Sequence, residues 1–481
     1  MEQQYDIVII GGGPGGYVCA IRAAQIGAKV ALVEKEFLGG MCLNWGCIPT
    51  KALVESMDIL DDIRNAAKYG IDVGSPTPNF PVMMKRKDKV VLQLRNGVEG
   101  LMKGYKIDVI RGTGKIINPR LVRATGVTPS SDSGEPTRDL PCRNIIVATG
   151  SLPDILPIPG ADNPRVLTAR EVLELEHVPK SMVVIGGGVT AIEFIRIFRP
   201  LGTEMQIVKR TPRILPPIDE EISQRYQQLL KSDGVPINIG AKVREIVPSG
   251  DGVRLIYDTE EGEKRIDAEY ILMATGNKPY TKDVGLENVG VAMDKGAIKV
   301  DEFLQTNVPG IYAIGDVTGG HMLAHVASYQ GEVVAENIMG HRRRADYRAV
   351  PNAVFSSPEI AGVGLTEGEA RQSGIEYTVS RFPFSALGKA VAIGRTTGLV
   401  KMICERDSGA VIGVHIMGPR ASDLIAEATL AINLEAAAED IANTIHAHPT
   451  LPEAIMETAH GQTFGSIHYR KLEPAGRAAA R

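Results

Sequence analysis

One stretch of this chain occurs twice. Asp6-Ile7-Val8-Ile9-Ile10-Gly11-Gly12-Gly13 returns as Ser181-Met182-Val183-Val184-Ile185-Gly186-Gly187-Gly188, 175 residues later. The offset persists, placing Gly16 on Ala191, Gly27 on Gly202 and Val33 on Val208. Each copy reads as an apolar strand, a glycine-rich turn, a helix and a second apolar strand. That order is a βαβ unit carrying a dinucleotide fingerprint. A single such glycine pattern is weak evidence. Two of them, each following a strand and opening a helix, point to two dinucleotide-binding folds in one chain.

In the first copy Gly11 is expected to make the tight turn, Gly13 to admit a pyrophosphate and Gly16 to let the helix pack closely. The helix N-terminus behind them favours a diphosphate through its dipole. Glu34 ends the second strand, 23 residues after Gly11. An acid there accepts hydrogen bonds from adenosine ribose hydroxyls. In the second copy Gly186, Gly188 and Ala191 hold the same places.

A further echo links Ile145-Ile146-Val147-Ala148-Thr149-Gly150 to Ile271-Leu272-Met273-Ala274-Thr275-Gly276. Each is read as the strand that closes a nucleotide-binding fold, with Thr149, Gly150 and Gly276 at the cofactor edge. The expected fold class is α/β. One Rossmann-like domain (1–151 and 277–348) is interrupted by another (152–276). An α+β domain (349–467), with strands expected over 391–401 and 409–417, and a tail (468–481) follow. The basic run His341-Arg342-Arg343-Arg344 reads as a solvated linker, and residues 473–481, small and polar, as a frayed end.

The chain's 481 residues suit three domains at ~150 residues each. A net charge of −4 carries no basic bias, which argues against nucleic acid as the main partner. No apolar run approaches the ~20 residues of a membrane helix. Met1-Glu2-Gln3-Gln4 opens no signal peptide, so a cytoplasmic location is expected. No metal site is expected. Five cysteines do not make a secreted disulfide scaffold. In a reducing compartment a close pair points to catalysis.

That pair is Cys42 and Cys47, in Cys42-Leu43-Asn44-Trp45-Gly46-Cys47-Ile48-Pro49-Thr50-Lys51. Residues 52–63 read as a helix, with Pro49 suited to its first turn. A helix N-terminus and Lys51 would both lower the pKa of a nearby thiol. By spacing alone the pair could also be buried thiols or a structural disulfide. Cys19, Cys142 and Cys404 each lie in apolar stretches and read as buried thiols. No role follows from the spacing for the bulky Trp45.

From residue 5 to residue 467 the chain resembles the pyridine nucleotide–disulfide oxidoreductases. The carriers of the resemblance are the cysteine motif, Ala313-Ile314-Gly315-Asp316, Met322-Leu323-Ala324-His325 and His446-Ala447-His448-Pro449-Thr450-Leu451. Around Tyr17-Val18-Cys19-Ala20-Ile21-Arg22 it is similar to the branch that oxidises dihydrolipoyl groups on carrier proteins of 2-oxo acid dehydrogenase and glycine cleavage systems. The resemblance implies FAD in the first site, NAD or NADP in the inserted one, and a homodimer whose active sites are shared between subunits. Cys42–Cys47 would be a redox-active disulfide, with Cys47 facing the flavin and Cys42 exchanging with substrate. Lys51 would sit near flavin N5 and pair with Glu193. Asp316 would bind the ribityl chain, with Met322, Leu323, Ala324 and His325 near the pyrimidine end. Gly114 would line the adenine side. The alternative within the family is an NADPH-dependent reductase of another low-molecular-weight disulfide.

Dithiol oxidation needs a proton acceptor, because the thiolate is the exchanging species. His448, with Glu453 five residues on, matches the family's His–Glu pair that serves the other subunit's disulfide. Thr450 and Glu453 also have capping-box spacing for a last helix. His446 is the competing base. His415, His460 and His468 read as structural or exposed.

The repeat aligns Glu34 with Lys209. The dihydrolipoyl-oxidising branch keeps an acid at this strand end. Here Lys209, Arg210 and Arg213 offer three cations and no carboxylate. A 2′-phosphate would be bound there rather than repelled. With Ala191 in the third glycine position, this favours NADP over NAD.

Overall fold

The computed structural model describes residues 4–126 and 137–470. Its first sheet runs in the order Asp108–Arg111, Val30–Glu34, Tyr5–Ile10, the end of Thr137–Val147, then Ile311–Ala313, all parallel. The early part of Thr137–Val147 turns antiparallel to Leu121–Thr125, which pairs with Thr113–Asn118. One long strand thus serves two sheets. Alternation explains the burial. Ile7, Ile9 and Leu32 face the helices Pro14–Gln25 and Ala324–Ile338, while Val8, Ile10 and Val33 face the antiparallel extension. A parallel sheet covered on both sides needs apolar residues at every position, hence the unbroken run of Ile and Val.

The inserted unit repeats the plan. Ser181–Ile185 lies centrally, with Glu204–Val208 and Ile237–Asn238 on one side and Tyr270–Met273 and Val166–Leu167 on the other. Helices Val189–Phe198 and Glu220–Ser232 cover one face, and an antiparallel sheet of Lys242–Ser249, Gly252–Thr259 and Gly262–Ala268 the other. The chain leaves and re-enters the first unit through a two-stranded ribbon, Ser151–Pro153 against Asn277–Pro279.

The last unit is an antiparallel sheet ordered Asn352–Val354, Glu359–Gly364, Val411–Gly418, Leu399–Glu405, Tyr377–Pro383, packed by Ala421–Asn433 and Glu453–His460. It is tied to the inserted unit by buried Lys401, whose Nζ lies 2.9 Å from Asp219 and 2.8 Å from Glu367.

Three local expectations are revised. The strand expected over 391–401 starts only at Leu399, because Gly388–Ala392 is a helical turn. The helix expected over 52–63 spans Cys47–Asn65. The basic run is an exposed linker, as expected, with surface contacts of its own. Arg343 pairs with Glu336 at 3.1 Å, Arg344 pairs with Glu302 at 3.2 Å, and Arg342 stands over Phe303. The chain is still held at His468, since buried Glu457 accepts from its N–H and that of Ile467. Residues 473–481 lie outside the described residues.

Candidate active site

The two glycine loops have the same geometry. Gly11 and Gly186 take φ of +106° and +124°, and a Cβ there would stand 2.3 Å from the Ala148 oxygen and 2.0 Å from the Ala274 oxygen. Only glycine fits a loop pressed this hard against the closing strand. Gly13 and Gly188 differ: a Cβ would meet nothing nearer than 3.9 Å at the first and nothing within 4 Å at the second. Those faces are open, as approach of a diphosphate requires. At Gly16 a Cβ would stand 1.9 Å from the Gly11 oxygen. Ala191 carries that methyl fully buried, so the second helix must stand further off its loop.

At the strand ends the aligned residues occupy the same place. The Glu34 carboxylate accepts from the N–H of Gly12 at 2.7 Å and of Glu36 at 2.7 Å. The Lys209 stem crosses Gly187, where a Cβ would be 2.7 Å from Lys209 Cδ. Burial and the neighbouring Arg213 lower the Lys209 ammonium pKa. Arg213 donates to the carbonyls of Ile218 and Pro216 at 2.8 and 2.9 Å, so two of its N–H donors are already engaged. Exposed Arg210 has no side-chain partner among the described residues.

Thr149 and Gly150 form the crossing between units. The Thr149 hydroxyl donates to the Tyr280 carbonyl at 2.6 Å, and the Tyr280 N–H to the Gly150 carbonyl at 2.9 Å. Gly276 mirrors this, accepting from the Asp154 N–H at 2.9 Å. Gly114 lies on a strand with its α-carbon pressed over Ile10 and Val33. Asp316 accepts from Ser151 at 2.6 Å, and burial pushes its carboxyl up. Its other oxygen has no protein hydrogen bond among the described residues. Met322, Leu323, Ala324 and His325 lead into the helix Ala324–Ile338, whose N-cap Leu323 supplies no side-chain cap. Open glycine faces, a strand-end carboxylate, a partly buried carboxylate with one oxygen bonded and an uncapped helix start together suit FAD's diphosphate, ribose, ribityl and carbonyl groups. Ser151 escaped the sequence reading, since nothing local marks it as Asp316's partner.

The cysteines sit at a helical break. Gly40–Trp45 is a short helix, Gly46 breaks it, and Cys47 is the first residue of Cys47–Asn65. Both cysteines are free thiols and share a hydrogen bond. The Cys42 contact lowers the Cys47 thiol to about 7, with burial opposing and Lys51 assisting. Cys42 moves the opposite way, its proton held toward Cys47 and its thiolate disfavoured by burial. Above about 7 the pair therefore carries one proton, on Cys42. The sulfur at the helix start is the thiolate, as the helix dipole favours. For the dithiol form with flavin bound, the long-wavelength thiolate absorbance is expected to grow as pH rises through about 7, readable in an anaerobic pH titration. A midpoint near that of an ordinary cysteine would contradict this assignment.

One helical turn on, Lys51 Nζ lies 2.8 and 2.9 Å from the two oxygens of Glu193 on the inserted unit's helix. It also stands 4.5 Å from the centre of the Phe355 ring, and the backbone N–H of Phe355 donates to Glu193 at 3.2 Å. Trp45 gains a contact that its sequence position did not explain. It packs edge-on to Phe37, and the Arg170 guanidinium of the inserted unit lies 4.1 Å over its ring.

His448 stands apart from the cysteines in sequence and in contacts. Its Nδ1 is 2.8 Å from Glu453 Oε1, and its side chain is 77% exposed. Burial raises the Glu453 carboxyl, but the Thr450 N–H and the His448 ring outweigh that and hold it low. Only half of the expected capping box forms. The Thr450 N–H donates to Glu453 at 2.7 Å, but the Thr450 hydroxyl turns to the Ala447 carbonyl, and Pro452 is the N-cap. His446 is almost fully buried between Glu427 and the Thr444 carbonyl, at 2.9 and 2.8 Å. It is poorly placed as a base. His415 is buried on the Leu365 carbonyl and His468 is bound to Glu457.

The family profile described as pyridine nucleotide-disulphide oxidoreductase matches residues 5–331, and its dimerisation domain matches residues 350–459. The chain is 43% identical over 462 residues to a dihydrolipoyl dehydrogenase of Chlamydia muridarum, covering 95% of this chain and 97% of that protein. It is 41% identical over 474 residues to one of Bacillus subtilis, covering 98% and 100%. Among solved structures, LpdA of Mycobacterium tuberculosis superposes with a TM-score of 0.87 at 28% identity, covering 95% of this chain and 99% of that one. The HOCl-induced flavoprotein disulfide reductase RclA of Escherichia coli gives a TM-score of 0.83 at 27% identity, with the same coverage. No helix among the described residues is long and apolar enough to cross a membrane.

Proposed function

The chain belongs to the pyridine nucleotide-disulphide oxidoreductase family, and from that premise we propose that it is an FAD-dependent dihydrolipoyl dehydrogenase. The observation that carries this reading is the thiol pair of unequal acidity at the start of a helix, backed by the Lys51–Glu193 pair. Residues 1–151 with 277–348 bind FAD, residues 152–276 bind the nicotinamide, and residues 349–467 form the homodimer interface. The partner is a lipoyl-carrier protein.

In the oxidised enzyme Cys42 and Cys47 form a disulfide. A substrate thiolate attacks the Cys42 sulfur, and Cys47 leaves as the stabilised thiolate. His448 of the partner subunit removes the proton from the second substrate thiol. That sulfur attacks its neighbour and releases Cys42, which completes the substrate disulfide. Glu453 of the partner subunit holds the imidazole in one tautomer and stabilises the imidazolium. FAD supplies the two-electron relay from Cys47 to the nicotinamide. Steady-state kinetics with dihydrolipoamide, a dihydrolipoyl protein and glutathione disulfide test the reading. Dihydrolipoyl-dependent reduction of a nicotinamide is expected. NADPH-dependent reduction of glutathione disulfide, without dihydrolipoyl-dependent nicotinamide reduction, would favour the reductase alternative.

The inserted site prefers NADP. Lys209 and Arg210 flank the strand end where Glu34 stands in the first unit, and crowding of Lys209 by Arg213 favours an anion there. One charge-assisted bond contributes ~1.5–3 kcal/mol, so kcat/KM should favour NADP at least roughly tenfold. Lys209→Glu with Arg210→Met should shift preference toward NAD with flavin content unchanged. Equal or better kcat/KM with NAD in the unmodified enzyme would sink this preference.

A further inference from the structure

The helix Val189–Phe198 of the inserted unit is buried along most of its length, and apart from Glu193 and Arg196 its buried side chains are apolar. Arg196 is therefore a cation in an otherwise greasy element, 7% exposed at its side chain. Its Nη2 lies 2.6 Å from Asp58 and its Nη1 2.6 Å from Asp61. Both acids belong to the helix that Cys47 opens. Spacing explains their reach. Lys51 and Asp58 are seven residues apart, Asp61 three further and Arg64 three further again, so all lie on one face. That whole stripe points at the inserted unit: Lys51 holds Glu193, Asp58 and Asp61 hold Arg196, and Arg64 donates to the Pro200 carbonyl at 2.9 Å.

Stability is a poor reason for this arrangement. Burying a guanidinium costs desolvation that a well-packed apolar side chain would avoid. Arg196 adds a second cost, since its buried Nε has no partner among the described residues. What the charge supplies is register. An apolar contact slides with little penalty, whereas a guanidinium held between two carboxylates fixes one helix along the other. Glu193 lies one turn from Arg196 on the same helix. Any slide there would loosen the bidentate grip of Glu193 on Lys51 and move the second glycine loop, at this helix's N-terminus, relative to Cys47.

We propose that Arg196 is a positioning residue, clamped by Asp58 and Asp61 so that the nicotinamide-binding unit is held in register with the redox helix. This rests on the reading of the chain as a flavin-dependent dihydrolipoyl dehydrogenase. The clamp acts on one half of the reaction. Transfer from flavin to nicotinamide depends on where the inserted unit sits. Exchange between dihydrolipoyl substrate and the cysteines feels it only weakly, through the Lys51–Glu193 contact.

The test uses the flavin-loaded, full-length enzyme in stopped flow, with Arg196→Met, Arg196→Lys and the double variant Asp58→Asn/Asp61→Asn. The expected result is that reoxidation of dithiol-reduced enzyme by the nicotinamide slows about ten- to a hundredfold in Arg196→Met and in the double variant. Reduction of the flavin by dihydrolipoamide stays within about twofold of the unmodified rate, and Arg196→Lys recovers part of the loss. Hydrogen exchange should rise along Cys47–Asn65 and Val189–Phe198 in the same variants, independently of activity. Unchanged reoxidation in a folded, flavin-loaded variant would overturn the proposal. So would a parallel fall of both half-reactions with loss of flavin or of melting temperature, which marks a merely structural part. Failure of the functional reading is distinguishable, because then the unmodified enzyme itself would show no dihydrolipoamide-dependent reduction while the exchange measurement still reports on the clamp.

Discussion

Cys42→Ser is expected to abolish dihydrolipoamide oxidation, by at least about a thousandfold in kcat, while leaving flavin bound and a thiolate absorbance from Cys47 in place. The asymmetry of the two thiols is the reason. Cys47 opens a helix and is lowered to about 7 by the hydrogen bond from Cys42 with help from Lys51. A serine hydroxyl in place of the Cys42 thiol removes the largest of these contributions, so the Cys47 midpoint should rise and the absorbance appear at higher pH, with Lys51 and the helix start still favouring the thiolate. Cys42 holds the proton and is the sulfur that must form the mixed disulfide. Serine cannot form it, so exchange has no route. The reciprocal Cys47→Ser should lose both turnover and the long-wavelength absorbance. Appreciable turnover by Cys42→Ser, measured with tightly controlled wild-type contamination, would overturn the Cys42–Cys47 disulfide relay and the interchange role of Cys42.

His448→Gln should lower kcat by roughly a hundred- to ten-thousandfold, the usual range for a positioned acid–base group. The larger effect is expected when subunits are mixed. Cys47→Ser and His448→Gln homodimers should each be nearly inactive, yet a mixed dimer should regain one working site of two. The structure motivates this. His448 is mostly exposed, its partner is Glu453, and it makes no hydrogen bond to the redox helix of its own chain. The carboxylate beside the cysteines, Glu193, is already bound by Lys51. In the proposed homodimer the proton acceptor for the dithiol is His448 of the partner subunit, and an isologous dimer would supply it symmetrically. Activity in re-formed mixed dimers, resolved by differently tagged subunits, is the measurement. No recovery in demonstrated mixed dimers would place the base within the same chain. Glu453→Gln should act through the imidazolium and cost less than His448→Gln.

How much of this was legible beforehand depends on the range of the interaction. Both glycine loops, the strand–turn–helix–strand repeats, the acid at Glu34 and the Cys42–Cys47 motif are read from residues within a few turns of one another. Their backbone demands, such as an α-carbon pressed against Ala148 or Ala274, allow few residue types. The alignment of Glu34 with Lys209 was likewise legible, because a repeated backbone puts equal offsets in equal places, and both side chains do meet the middle glycine of their loops. The exact helix and strand ends were not legible. Gly388–Ala392 is a helical turn where alternation suggested strand, and Pro452, not Thr450, caps the last helix.

Sequence by itself determined the two nucleotide folds, the candidate cysteine pair and the candidate residues around it, since those rest on local backbone geometry and on chemistry carried by a residue's own type. Only the tertiary structure decided which distant groups meet. Ser151 reaches Asp316, Arg170 covers Trp45, Arg213 turns to backbone carbonyls, and Arg196 enters between Asp58 and Asp61. Each of these pairings is set by how two packed units sit against each other or by how a loop closes on itself. A charged or aromatic side chain reads the same in sequence whether it faces water or a partner, so its role appears only when packing removes the water.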